Sequence, residues 1–327
     1  MKKSIALKYE DVCLLPNYSE INSRSECSTF SYIGSQQFKL PVIPANMKTV
    51  IDYDLARWMS KERYLYIMHR FDHNVHDFVG LANSEDWQTI SISVGVKEED
   101  EKTIEYIREM SPTCRVDYIT IDIAHGYCKS MKEMIRYIRR ELGDSVCIIA
   151  GNVCTKDAVK SLFHWGADVV KVGIGQGSPC TTKDKTGFTY PMFSCVQECV
   201  EDAPGPIIAD GGIKCNGDIA KALVAGAEWA MAGGMFARCT DSPAMAIQTE
   251  YGLQKIYYGS ASAENKGHNR HIEGVKRSLD SSGMTYEQKF KEIKEDLQSS
   301  ISYAGGNSLC DLNSENVQYR INHPVSY

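Results

Sequence analysis

The stretch 146-VCIIAGNVCTKDAVKSLFHWGADVVKVGIG-175 decides the fold. It opens with a β-branched run, passes through a segment whose apolar residues recur every three or four positions, and closes with a second β-branched run. Strand, helix and strand in this order form the unit from which parallel sheets are built. The stretch therefore predicts a parallel β-sheet whose strands are joined by crossover helices.

The same alternation extends from about Pro41 to about Ala244. The candidate strands are LPVIPANM near residue 43, YLYIMH at 64–69, TISISVGV at 89–96, VDYITIDIA at 116–124, VCIIAGNV at 146–153, DVVKVGIG at 168–175, PIIADGG at 206–212 and EWAMAGG at 228–234. The helix-like segments between them are DYDLARWMSKE, HNVHDFVGLA, EEDEKTIEYIREM, KSMKEMIRYIRREL, TKDAVKSLFHWG, CVQECVEDA and NGDIAKALVAGA. Eight strands predict an α/β protein with a closed (β/α)8 TIM barrel; the rival, an open doubly wound sheet, more often has about five to seven strands.

Two segments lie outside this repeat. An N-terminal extension of about 40 polar residues precedes the barrel, and residues 251–283 are rich in Gly, Ser, Asn, His and charge, with little periodicity. A long irregular segment in a compact domain is either disordered or a functional lid. We therefore predict a flexible active-site flap at 251–283, followed by a last helix in MTYEQKFKEIKEDLQSSISYAG, all within a single domain over 1–327.

Composition limits the function classes. The net charge of −6 gives no basic surplus for a nucleic-acid polymer, although a small anion needs only local donors. No signal peptide and no run of about 18 apolar residues is present, so we expect a cytoplasmic protein without membrane spans. The twelve cysteines form no CxxC pair, which predicts free thiols rather than a zinc site.

Polar residues and glycines follow most of the candidate strands. Because all strands of a barrel open with their carboxyl ends on one face, we expect these positions to lie together there, although each alone is more often a turn residue. They are Asn46, Met47, His69, Arg70, Asp122, His125, Gly151 and Asn152, then the loop 173-GIGQGSPCTT-182, Asp210 and the glycine pairs 211–212 and 233–234.

The loop after the sixth strand carries the most specific signal. Its glycines, Gly173, Gly175 and Gly177, allow backbone amides to approach a ligand, and Ser178 adds a hydroxyl. A structural cysteine would lie among aliphatic side chains, whereas Cys180 follows a polar, glycine-rich run. We therefore interpret Cys180 as a nucleophile, with the Thr182 hydroxyl near the same substrate atom.

The next two strand ends suit a nucleotide. The Asp210 carboxylate is placed to accept hydrogen bonds from ribose hydroxyls, and the amides of Gly211, Gly212, Gly233 and Gly234 are candidates for a phosphate. Barrel enzymes often hold phosphate in the loops after strands seven and eight. Glycines that serve only tight turns are the alternative.

These motifs resemble the IMP dehydrogenase/GMP reductase family over nearly the whole chain. KVGIGQGSPCTT is similar to the cysteine loop of that family, IIADGGI to its ribose-binding strand end, and YYGSAS to its purine-facing segment. INSRSEC, IMHRF and DLQSSISYAGG resemble the bacterial reductase branch in particular. The chain has no room for the CBS insert usual in the dehydrogenases, and 259–283 lacks their water-activating Arg-Tyr pair.

The resemblance implies an enzyme of purine salvage that converts GMP to IMP and ammonia with NADPH, through a covalent thioimidate on Cys180. It also implies a homotetramer and potassium at the carbonyls of Gly175, Gly177 and Cys180. By the same resemblance, the purine nucleotide lies against Ser178, Asp210, Gly211, Gly212, Gly233, Gly234, Tyr258, Gly259 and Ser260. The nicotinamide side is expected to comprise Arg70, Asp122, Asn152 and Gly173.

The family's reductases usually have a glutamate directly after the purine-facing segment, where it acts with the threonine on ammonia. Here that position is Ala263, and Glu264 follows it, so we expect Glu264 to take this role. Two other functions stay open: oxidation of IMP to XMP with NAD, and a non-catalytic purine-nucleotide sensor.

Overall fold

The computed structural model describes residues 5–72, 74–111, 113–267 and 270–322. Its N-terminal part contains regular structure that the polar sequence did not predict. Three short strands, β1 (Val12–Leu14), β2 (Ser31–Ile33) and β3 (Gln36–Phe38), lie there, together with 3-10 turns at Tyr9–Asp11 and Arg24–Glu26.

The barrel follows as alternating strands and helices. Its elements are β4 (Val42–Pro44), α1 (Tyr53–Glu62), α2 (Val75–Ser84), β5 (Ser91–Val94), α3 (Glu98–Met110), β6 (Tyr118–Asp122), α4 (Lys129–Leu142), β7 (Cys147–Val153), α5 (Lys156–Trp165), β8 (Val169–Val172), α6 (Thr182–Thr186), α7 (Met192–Val200), β9 (Ile207–Asp210), α8 (Asn216–Val224), β10 (Trp229–Ala232) and α9 (Gly234–Ala237). The strands are parallel and lie in the order β4-β10-β9-β8-β7-β6-β5. Because the first barrel strand pairs with the last, the sheet curls back on itself, as an open doubly wound sheet does not. The predicted α/β barrel is confirmed.

One predicted strand, 64–69, forms no regular ladder. The segment is extended and residues 65–68 are buried. The Met68 amide donates to the Ser91 carbonyl in β5 at 3.3 Å, and the Met68 carbonyl accepts from the Ser93 hydroxyl at 2.6 Å. The segment therefore lies beside β5 where a barrel strand belongs, but a side chain satisfies part of its backbone. The prediction of a paired strand is wrong there.

The helices lie where the apolar periodicity predicts them, and capping residues mark some of their ends. The observed bounds of α3 and α4 coincide with the predicted segments. The Thr155 hydroxyl caps the start of α5 by accepting from the Ala158 amide at 3.4 Å, and Gly166 ends this helix in the left-handed region. α7 begins three residues before the predicted CVQECVEDA and ends at Val200.

The chain after the barrel adds a small sheet and the last helix. The elements are β11 (Ala246–Thr249), β12 (Gly252–Tyr257), α10 (Ala263–Lys266), β13 (Arg277–Asp280), α11 (Tyr286–Tyr303), a 3-10 turn at Leu309–Asp311 and β14 (Tyr319–Ile321). The strands β11, β12 and β13 form an antiparallel sheet, and β14 pairs with β1. The expectation of little regular structure in 251–283 is therefore wrong at both ends of that segment, while its flexibility stays a prediction.

Two apolar layers support the barrel. One lies between the strands and the surrounding helices, and the other fills the barrel interior. The hairpin of β2 and β3 covers the amino-terminal end of the strands, where Phe38 packs edge-on against Trp229 at 5.5 Å between ring centroids. The opposite, carboxyl end is thereby left to the loops. The twelve cysteines are free, and no helix of the described ranges is long and apolar enough to cross a membrane.

Candidate active site

A cavity of about 1180 Å³ opens at the carboxyl ends of the barrel strands. It is lined by residues that end β6 and β9, by the loops after β8 and β10, and by residues within 259–265 and 270–274. Its volume exceeds the range of about 300–1,000 Å³ usual for one small ligand. The cavity therefore has room for two small molecules side by side.

The cysteine loop presents a chain of three polar groups to this cavity. Cys180 is half-buried, and its thiol donates to the Thr182 hydroxyl at 3.2 Å. The Thr182 hydroxyl in turn donates to Glu273 Oε2 at 2.6 Å. All three side chains line the cavity. The arrangement connects a thiol to a carboxylate through one hydroxyl, so a proton has a continuous hydrogen-bonded route between them.

Glu273 takes the place that the sequence assigned to Glu264. Glu264 lies in α10, is exposed, and is not among the described residues that line the cavity. The α10 helix begins directly after Ser262, whose hydroxyl accepts from the Asn265 amide at 3.3 Å, and this places Glu264 on the outer side. The expected contact of Glu264 with Thr182 is therefore replaced. Because 91 residues separate Thr182 from Glu273, no local pattern indicated the pair.

Backbone pairing places Glu273 beside the cysteine loop. Cys180 and Gly274 form an antiparallel bridge. The Thr181 amide donates to the Glu273 carbonyl at 2.9 Å, and the Val275 amide donates to the Pro179 carbonyl at 2.8 Å. The flap residues 273–275 therefore run antiparallel to 179–181, and this register directs the Glu273 side chain toward Thr182.

A buried lysine that the sequence reading missed lies beneath the loop. Lys171, on β8, donates to Asp210 Oδ2 at 2.8 Å and to Asp122 Oδ1 at 3.0 Å, and its side chain is only 3% exposed. Burial alone lowers the pKa of Lys171, but the carboxylates of Asp210 and Asp122 outweigh it and hold the pKa above the usual value. The ammonium therefore joins the expected ribose carboxylate to the expected cofactor carboxylate.

Asn152 completes this cluster because of an irregularity in β7. The pairing of β7 with β8 shifts register between Gly151 and Val153, which leaves Asn152 without a ladder partner on β8. The Asn152 amide group donates to the Gly173 carbonyl at 2.8 Å and to Asp210 Oδ2 at 2.9 Å. Its own amide oxygen is buried and has no hydrogen-bond partner, although the residue lines the cavity. A buried acceptor without a partner suits a ligand donor.

The glycines of this face allow close approach. A Cβ atom on Gly173 would lie 2.0 Å from the Asp210 carbonyl, and one on Gly233 would lie 2.2 Å from the Tyr257 hydroxyl. Gly211, Gly212 and Gly234 also line the cavity, as do Gly259 and Ser260. Tyr258 does not line it within the described chain; its carbonyl accepts from Thr49 at 3.2 Å, and Tyr257 lines the cavity instead.

The remaining predicted positions are divided between two parts of the cavity. Ser178, Gly175 and Gly177 line the cysteine side, and the Gly177 carbonyl accepts from the Cys180 amide at 3.0 Å. Arg70 and Asp122 line the other side, where the cavity continues past Phe71, Asp72, Lys97 and Glu99. Potassium at the Gly175 and Gly177 carbonyls stays a prediction.

The local charge of the cavity is opposite to that of the whole chain. Seven Lys and Arg side chains and five Asp and Glu side chains line it among the described residues, whereas the chain has a net charge of −6. A surplus of positive charge in a concave site attracts anions. The cavity therefore favours negatively charged ligands even though the protein is acidic.

Comparison with known proteins agrees with this geometry. Residues 6–324 match the sequence profile of the IMP dehydrogenase / GMP reductase domain. The chain belongs to the IMP dehydrogenase/GMP reductase family. It is 48% identical over 306 residues to a protein of Mesoplasma florum named GMP reductase, which covers 93% of this chain and 94% of the relative. A Leptothrix cholodnii protein of the same name is 46% identical over 312 residues, 94% of each chain.

Membership of the IMP dehydrogenase/GMP reductase family covers the whole described barrel and flap. A third relative, from Mycoplasma mycoides subsp. mycoides, is also named GMP reductase and is 46% identical over 92% of this chain. The matches include the cysteine loop and the segment that carries Glu273. The resemblance expected from the motifs is therefore confirmed.

Proposed function

We propose that this protein is a GMP reductase, which converts GMP to IMP and ammonia with NADPH. The observation that carries the proposal is the hydrogen-bonded series Cys180–Thr182–Glu273 at one side of a cavity that favours anions. The names of the relatives support the same activity. The reaction serves purine nucleotide interconversion and salvage.

The first step uses the three groups together. The Cys180 sulfur forms a bond to carbon 2 of the purine while the thiol proton passes through Thr182 toward Glu273. The bond between carbon 2 and the amino nitrogen then breaks, and Glu273 returns the proton through Thr182, so the amine leaves as ammonia. The product is a thioimidate between Cys180 and the purine. A covalent nucleophile of this kind divides one difficult displacement into two easier ones.

The second step releases the enzyme. A bound reduced nicotinamide would provide the hydride for carbon 2. The bond between carbon 2 and the Cys180 sulfur would then break, and the thiolate would take a proton from solvent. In total, GMP, NADPH and one proton give IMP, ammonia and NADP⁺. The protein must hold the purine with carbon 2 next to the sulfur and keep the opposite face open to the cofactor.

Asp210 fits the ribose of the purine nucleotide. The bonds from Lys171 and Asn152 both end on its Oδ2 atom, so neither of them occupies Oδ1. Ribose hydroxyls are donors that this free oxygen can accept. Gly211, Gly212, Gly233 and Gly234 offer backbone amides for the phosphate, with Ser178 as a hydroxyl donor, and Gly259 and Ser260 face the purine.

The residues on the other side fit a nicotinamide cofactor. The buried Asn152 oxygen without a partner is an acceptor for a donor of the cofactor, and a carboxamide has such a donor. Asp122, Gly173 and Arg70 line the same cavity and would lie beside such a cofactor. We propose NADPH rather than NADH because the family resemblance implies it.

The test is a pair of assays on the full chain. NADPH oxidation in the presence of GMP is followed at the reduced-nicotinamide absorbance band, with ammonia measured in parallel. Cys180→Ala is expected to abolish both signals, and Cys195→Ala, a buried thiol in the outer layer, is the matched control. Reduction of NAD with IMP, or GMP binding without ammonia release, would instead identify a dehydrogenase or a sensor.

We further propose the assembly and setting that the family resemblance implies. These are a homotetramer in the cytoplasm, with potassium at the carbonyls of Gly175 and Gly177. Sedimentation of the purified chain tests the tetramer, and turnover in potassium against sodium buffers tests the cation. A monomer at assay concentration, or equal rates in both salts, would remove the corresponding proposal.

A further inference from the structure

Two basic side chains that the mechanism does not use join the flap to the cysteine loop. Arg277 Nε donates to the Ser178 carbonyl at 2.7 Å, and Lys185 Nζ donates to the Ile272 carbonyl. One side chain reaches from the flap to the loop, and the other reaches from the loop to the flap. The two contacts span 99 and 87 residues of sequence, so neither belongs to a local turn.

These contacts lie at opposite ends of the short antiparallel pairing. Along the flap, Ile272 meets Lys185, residues 273–275 pair with 179–181, and Arg277 meets Ser178. The Thr182–Glu273 hydrogen bond lies between the two ends. Any slip or opening of the pairing therefore moves the carboxylate away from the threonine.

Arg277 is itself fixed in position by the small sheet. It is the first residue of β13 and pairs with Tyr257 of β12. Its guanidinium therefore links a rigid element to the loop, whereas the flap residues before it have only a short run of backbone bonds to the loop. Val275 is 37% exposed, so water can compete for these bonds. An exposed pairing of this length is marginal without further contacts.

We propose that Arg277 and Lys185 are positioning residues that hold the flap in the register in which Glu273 meets Thr182. Neither touches the reacting atoms. The inference rests on the proposed GMP reductase activity for its kinetic consequence, because Glu273 has the proton-transfer role only in that reaction. The consequence is that loss of either clamp slows the step in which ammonia leaves, without loosening the grip on GMP.

The experiment compares Arg277→Met, Arg277→Lys and Lys185→Met with Lys276→Met, an exposed neighbour in the same flap. Arg277 is exposed, but its charge-assisted hydrogen bond fixes the flap register, so removing it in Arg277→Met is expected to lower kcat about tenfold. The KM for GMP is expected to stay within about twofold, since no substrate contact is removed. Arg277→Lys should recover most of the loss, Lys185→Met should also lower kcat, and Lys276→Met should match the wild type.

Hydrogen exchange gives a readout that does not depend on turnover. The amides of Val275 and Thr181, which donate across the pairing, should exchange at least several-fold faster in Arg277→Met than in the wild type, while those of α4 should be unchanged. Unaltered kcat, a rise in KM for GMP at constant kcat, an equal loss in Lys276→Met, or unchanged exchange of the Val275 and Thr181 amides would each overturn the clamp. Failure of the wild type to oxidise NADPH with GMP would refute the proposed function instead, and exchange would still decide the clamp.

Discussion

Replacement of Lys171 by methionine is expected to destabilise the barrel. It also tests whether Lys171, Asp122 and Asp210 contribute to stability as one coupled ion cluster. The change removes the ammonium that two carboxylates share, at 2.8 and 3.0 Å, and leaves both carboxylates in place. Breaking a buried pair from one side costs about 3–5 kcal/mol, because a charge is left uncompensated. Asp122 and Asp210 are 16% and 22% exposed toward the cavity, so we take the lower end, about 3 kcal/mol.

The assay is thermal and urea unfolding of the ligand-free chain. With an unfolding entropy of about 2.1 cal/mol/K per residue, 3 kcal/mol corresponds to a Tm lower by about 4 °C. Lys171→Arg keeps the charge and should lose less than half of that. Adding Asp122→Asn to Lys171→Met removes one of the uncompensated carboxylates and should recover more than 1 kcal/mol. A Tm for Lys171→Met within 1 °C of the wild type, or simple additivity in the double variant, would refute the reasoning.

Two further comparisons test the site. Glu273→Gln is expected to lower kcat by about 10²–10⁴ with GMP binding retained, because it removes the proposed proton acceptor. The kcat of the exposed control, Glu264→Gln, should stay within about twofold of the wild type. Steady-state kinetics of the two variants test this, and a larger loss in Glu264→Gln than in Glu273→Gln would restore Glu264 to the role. Gly173→Ala is expected to lower the free energy of unfolding by more than about 2 kcal/mol, because its Cβ would meet the Asp210 carbonyl at 2.0 Å and its φ is +133°. In the control, Gly177→Ala, the nearest neighbour of the new Cβ would be at 3.7 Å, so this variant should unfold near the wild-type temperature.

The fold could be predicted because its determinants are local. Each element shows its type in its own sequence: VVKV is a β-branched run, and α4 has apolar residues at helical spacing. The alternation of such strands and helices predicts a parallel sheet. The segment 64–69 shows the limit of that reasoning. Its apolar run is what a buried strand needs, but Ser93 satisfies the Met68 carbonyl that a ladder would otherwise bond. The apolar pattern of a segment indicates that it is buried, but it does not indicate which group will hydrogen-bond to each backbone amide and carbonyl.

The candidate site also has a part that could be predicted from the sequence and a part that could not. Strand ends meet on one face of any barrel, so Cys180, Asp210 and the glycines could be placed together from their positions alone. Lys171 was missed because the run DVVKVGIG around it does not show that carboxylates at the ends of β6 and β9 meet its side chain. Its charge is hidden within an apolar pattern. A buried lysine in a parallel strand is costly unless it is paired, so the sequence could have indicated that an acidic partner exists, but not which residues supply it.

The position of Glu273 beside Thr182 could not be predicted from the order of the strands. The flap has no period from which to place it, and the glutamate reaches Thr182 only through a register set by Cys180 and Gly274, two residues from distant parts of the chain. The family pattern directed attention to Glu264 because a carboxylate one residue from the expected position is the nearest substitute in sequence. In space the carboxylate beside Thr182 is determined by the antiparallel pairing of 273–275 with 179–181. The carboxylate that meets Thr182 is therefore selected by β-pairing between the flap and the cysteine loop rather than by proximity along the chain.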